Sequence, residues 1–72
     1  MYASLDAARS AQQHLAEILS DVPQVNGIGI TRIDDGFGLK LNLTDASAED
    51  AVPAEIDGVS VRVEVVGRAY AH

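Results

Sequence analysis

The stretch from Val25 to Leu43 constrains this chain more than any other. Two alternating runs, Val25-Asn26-Gly27-Ile28-Gly29-Ile30 and Gly38 to Leu43, meet across Asp34-Asp35-Gly36-Phe37. An Asp-Gly pair between alternating apolar runs is a strong hairpin signal. With Asp35 and Gly36 as the turn, Arg32 faces Leu39, Ile30 faces Leu41 and Ile28 faces Leu43, and opposed residues share a sheet face. One side of the hairpin is then apolar. The other carries Gly27, Gly29, Thr31, Lys40 and Asn42, with Ile33 near the tip. Glycines 27 and 29 are poor strand residues that ask for a bulge, a strong twist, or the close approach of a backbone or ligand.

Ahead of the hairpin, Leu5, Ala8, Ala11, Leu15, Ile18, Leu19 and Val22 recur every three or four residues, which predicts an amphipathic helix from Ser4 to about Ser20. Ser4 can cap its first turn, and Asp6 suits the positive end of the dipole. Pro23 pushes Val22 out of helical geometry and ends the element. Arg9, Gln12, Gln13 and Glu17 form the solvated face.

After the hairpin, residues 44–58 hold no strand pattern. Ser47 followed by Asp50 resembles a capping box, which predicts one helical turn from Glu49 to Val52 before Pro53. Ile56 is expected to anchor this connection, and Asp57-Gly58 supplies a second turn. Val59, Val61, Val63 and Val65 then alternate with Ser60, Arg62 and Glu64, the pattern of a half-buried strand. Beyond Gly67, the tail from Arg68 to His72 shows no period.

These elements predict an α+β fold in two layers, with one N-terminal helix packed on a small three-stranded sheet in the order helix, strand, strand, crossover, strand. At 72 residues the chain is a single domain that buries only about 60% of its extended surface, so association is a physical route to more stability. A single helix covers one sheet face. The other face, holding Thr31, Lys40, Asn42, Arg62, Glu64 and Val66, is the candidate interaction surface, with a second copy of the chain as the expected partner.

Charge and composition exclude several classes. Eleven acidic residues against five basic ones give a net charge of -6, and a molecule of that sign repels phosphate backbones. The five cations are scattered singly, without the aromatic interleaving that stacks bases, so nucleic acid is not expected as a partner. No apolar run approaches the ~20 residues of a membrane span, and the N-terminus lacks the layout of a signal peptide. The expected location is cytoplasmic, without a membrane partner. Without cysteine, neither disulfides nor thiolate metal sites support the core.

Motifs for chemistry fail on spacing. His14 and Glu17 sit three apart on the helix and can share a metal, but two ligands make no site and no third is near. No Gly-x-Ser-x-Gly elbow accompanies His14. Asp45, Ser47 and Glu49 alternate as in a calcium loop, yet Asp50 stands where glycine is needed and Ile56 where the bidentate glutamate belongs. Gly27-Ile28-Gly29 starts a dinucleotide fingerprint whose third glycine position is Arg32. Asn42-Leu43-Thr44 is a glycosylation sequon that matters only on secretion. No cofactor is expected.

The run Val52-Pro53-Ala54-Glu55-Ile56-Asp57-Gly58-Val59-Ser60-Val61-Arg62-Val63-Glu64-Val65-Val66-Gly67, together with Val25 to Ile30 after a helix, resembles the short leader module that precedes the catalytic domain in some bacterial trypsin-like serine peptidases and related small bacterial proteins. In that family the catalytic triad belongs to the downstream domain, so the resemblance implies an accessory module and assigns no catalytic residue here. The short hairpin and single tail depart from the family pattern. Three readings follow: a non-enzymatic module acting through protein contact or as a homodimer; a leader or inhibitor of a separately encoded peptidase; and a small-ligand or metal binder using the glycine strand or His14 and Glu17.

Overall fold

The computed structural model describes residues 3–66. The C-terminal tail from Arg68 to His72, without periodicity in the sequence, lies outside them. Helix α1 spans Leu5–Ile18, strand β1 Val25–Ile33, strand β2 Gly36–Leu43, a 3₁₀ turn Ala46–Ala51, strand β3 Glu55–Ile56 and strand β4 Val59–Val65. The strands form one mixed sheet in the order β1-β2-β4-β3. The fold is α+β as expected, but the sheet has four strands where three were predicted. The additional strand, β3, is two residues long and too short to alternate.

Helix α1 starts where Ser4 Oγ accepts the Ala7 N–H at 3.1 Å, which satisfies one of the free donors of the first turn. Asp6 lies in that turn. The helix stops at Ile18, earlier than Pro23 requires, because the chain tightens into short turns: Ser20 N–H bonds to Glu17 C=O at 3.3 Å and Val22 N–H to Leu19 C=O at 3.0 Å. Its buried stripe is Ala8, Ala11, Leu15 and Leu19. Leu5 and Ile18, expected on that stripe, are 37% and 47% exposed. The two alanines let the helix backbone settle close to the sheet, so only the centre of the predicted stripe is covered.

The hairpin keeps its predicted faces but not its predicted register. Ile28 opposes Leu41, Ile30 opposes Leu39, Arg32 opposes Phe37 and Ile33 opposes Gly36. The turn is therefore Asp34-Asp35 rather than Asp35-Gly36. Asp34 adopts φ 53°, a left-handed conformation that Asp tolerates better than most residues. The shift is two residues, an even number, so every side chain stays on its expected face. The pairing also slips between Val25 and Gly27, so a bulge at Asn26 accounts for a glycine in this strand.

Strand β4 runs parallel to β2, with Leu39 beside Val61, Leu41 beside Val63 and Leu43 beside Val65. A parallel neighbour needs a crossover, and residues 44–58 supply it. Its 3₁₀ turn begins at Asp45, whose side chain accepts the Ser47 N–H at 2.9 Å. Asp45 is thus the cap, in place of Ser47, because its carboxylate reaches an amide two residues on. The crossover returns through β3, which pairs antiparallel with the start of β4 across Asp57-Gly58. Asp57 and Gly58 have φ 53° and 78°, the two positive angles of a tight hairpin turn.

Leu15, Leu39, Leu41, Leu43 and Val59 are the largest fully buried side chains, each worth about 1.5–3 kcal/mol of burial. Ala48 of the crossover and Ile56 of β3 join the same cluster, so the expected anchoring by Ile56 holds. Helix and crossover therefore pack on one face of the sheet. None of the described helices or loops covers the other.

Candidate functional site

The open face is built by alternation along three strands. Gly29 stands beside Lys40 and Gly27 beside Asn42 across the β1–β2 ladder, while Lys40 stands beside Arg62 and Asn42 beside Glu64 across the β2–β4 ladder. Thr31 lies opposite Gly38. Thr31, Lys40, Asn42, Arg62 and Glu64, the residues expected on this surface, thus share one face of the sheet. Val66, expected with them, follows β4, and its N–H closes onto Leu43 C=O at 2.8 Å.

Electrostatics on this face are balanced. Lys40 Nζ lies 3.0 Å from Glu64 Oε1, with both side chains about half exposed. Arg62 is Lys40's neighbour on β4, and Glu55 opposes Ser60 on β3. Among the described residues, two cations and two carboxylates leave the face neutral on a chain of net charge -6. Between the charged pair and the glycine strand, Asn42 Oδ1 is enclosed and has no hydrogen-bond donor among the described residues. Beside it, a Cβ built on Gly27 would meet nothing within 4 Å, so the face is recessed there. At the hairpin end the surface is closed differently, by Ile33 lying over Gly38.

A second feature lies at the β1 edge. Gln12, Gln13 and Ala16 of α1 and residues Val25 to Ile28 of β1 line an open groove of about 420 Å³. Gln12 Nε2 donates to Ile28 C=O at 2.6 Å across it. This groove was not legible in the sequence, because Gln12 and Gln13 read there as plain solvated positions.

His14 does not join Glu17. Its Nδ1 lies 2.9 Å from Asp57 Oδ2, with the two side chains 50% and 49% exposed, so the helix is tied to the β3–β4 turn. That pairing spans 43 residues, beyond the reach of local spacing rules. Among the described residues, no group of three His, Cys, Asp or Glu side chains is placed to hold a metal, and no helix is long and apolar enough to cross a membrane. Neither protein-family models, nor curated proteins, nor solved structures match this chain.

Proposed function

We propose that the chain is a non-enzymatic module that works by protein–protein contact, and that it associates with a second copy through the open face of its sheet. The observation that carries this reading is the composition of that face. It is neutral on an acidic molecule and holds both signs of charge. Two net-negative copies repel over most of their surfaces. They meet here without that penalty.

A two-fold axis brings the same patch of both copies together, so the Arg62 of one copy can pair with the Glu64 of the other. The test is solution mass combined with charge exchange. Arg62→Glu is expected to drive the chain to monomer, and Arg62→Glu combined with Glu64→Arg to restore association. Association that ignores both variants places the interface elsewhere.

A further inference from the structure

We infer that Asn26-Gly27 is a self-modification site of the folded chain, at which the Asn26 side chain loses ammonia through a cyclic imide and is left as aspartate or isoaspartate. The chain holds two asparagines, Asn26 and Asn42, and the fold treats them oppositely. Asn42 precedes Leu43, and its Oδ1 is enclosed. Asn26 precedes a glycine and is exposed. It lines the open groove between α1 and β1, so its side chain has room to fold back on its own backbone and water can reach it.

The chemistry needs only these two residues and water. The backbone nitrogen of Gly27 attacks Asn26 Cγ and the new N–Cγ bond closes the ring. The Cγ–Nδ2 bond then breaks, and ammonia leaves with the proton that the Gly27 N–H gives up. Water opens the imide. Addition at Cγ restores the ordinary backbone with aspartate at this position, whereas addition at the Asn26 backbone carbonyl routes the chain through Cγ as isoaspartate. A side chain on the following residue crowds the attacking nitrogen, and glycine has none.

Local geometry decides whether the fold blocks this step. Gly27 is paired with Asn42 across the ladder, so its nitrogen is released only when that rung opens. The pairing slips between Val25 and Gly27, which leaves Asn26 as the extra residue of a bulge, and a bulge disrupts the ladder around it. Beyond the bulge lies the Val25–Leu43 rung. Strand β1 is also the outer strand of the sheet, and rungs near the end of an edge strand open at low cost. A Cβ built on Gly27 would meet nothing within 4 Å, so no neighbouring atom presses on the site. The two Asp-Gly pairs are held differently. Asp57 Oδ2 is engaged by His14 Nδ1 at 2.9 Å, and Gly36 is buried opposite Ile33. Both also lack the amide leaving group. Conversion at Asn26 puts a carboxylate in place of a neutral amide on a chain of net charge -6, and isoaspartate lengthens the backbone where β1 already carries an extra residue.

The experiment incubates the full folded chain in mildly alkaline buffer, with samples resolved by anion exchange and the change located by peptide mass mapping. The same chain in guanidinium chloride and the variants Gly27→Ala and Asn26→Gln run beside it. A more acidic form is expected to accumulate, modified at residue 26 with aspartate and isoaspartate both present, at a rate within about tenfold of that in denaturant. Gly27→Ala, for which there is open space, is expected to slow the reaction about tenfold while the melting temperature holds, and Asn26→Gln to abolish it. Three outcomes overturn the proposal: a folded chain that stays unmodified at residue 26 while the denatured chain reacts, a Gly27→Ala variant that reacts as fast as the parent, or an acidic form whose change maps to Asn42.

Discussion

Ile33 occupies the space that a side chain at Gly38 would need. A Cβ added at Gly38 would collide with Ile33 Cδ1, and would also lie 3.0 Å from both Ile33 Cγ1 and the Ser60 carbonyl oxygen. Ile33 closes the hairpin end of the open face, so Gly38 is required for space. Gly38→Ala is expected to cost about 1–3 kcal/mol through overpacking, read as a lower urea midpoint at unchanged slope. Adding Ile33→Ala should recover part of the loss, because residues in contact are not additive. Equal loss in the single and double variants would break the link between the two positions.

Gly58 is required for a different reason. Its φ is 78° and a Cβ there would meet nothing within 4 Å, so the cost of Gly58→Ala lies in the backbone alone, on the order of 1–2 kcal/mol. Gly58→Asn should cost less, since Asn accepts left-handed geometry. Thermal melts of the two variants rank them, and an alanine variant as stable as the parent would contradict the turn assignment.

Leu41 is fully buried, whereas the adjacent Lys40 side chain is 43% exposed in its pair with Glu64. Leu41→Asp places an unpaired carboxylate in the core and is expected to abolish folding. Lys40→Asp removes an exposed pair worth about 0.2–1 kcal/mol and leaves a folded chain. Circular dichroism separates these outcomes. Similar melts for the two variants would mean that the sheet faces are assigned wrongly.

Much of this fold is legible in the sequence because it is local. The core of α1, the faces of β1 and β2, the Asp57-Gly58 turn and the alternation of β4 all follow from periods of 3.6 and 2 together with turn chemistry. What escapes the sequence depends on contacts between distant segments. The hairpin register turned on whether Gly36 sat in the turn or opposite Ile33, and alternation is blind to a shift of two. The parallel pairing of β4 with β2 depends on the path of the crossover. His14 chose Asp57 over the nearby Glu17 because packing of α1 across β4 brings the β3–β4 turn to it. The five residues of the open face were legible because each follows from strand alternation, whereas the groove needed the placement of α1 against β1.

The His14–Asp57 pair also bears on metal binding. With His14 Nδ1 engaged at 2.9 Å by a single carboxylate, the described residues offer no third ligand, and zinc or nickel in excess is expected to leave the melting temperature unchanged. Binding to the folded state alone would raise it. A concentration-dependent rise that His14→Ala removes would establish a site and contradict this expectation.

The most direct test of self-association through the open face is light scattering on the unmodified chain across a dilution series. A mass of twice the 7.6 kDa of one chain is expected at high concentration, falling toward the single-chain value on dilution, with Arg62→Glu held at that value throughout. A single-chain mass at every concentration, or a doubled mass that Arg62→Glu leaves intact, would contradict it.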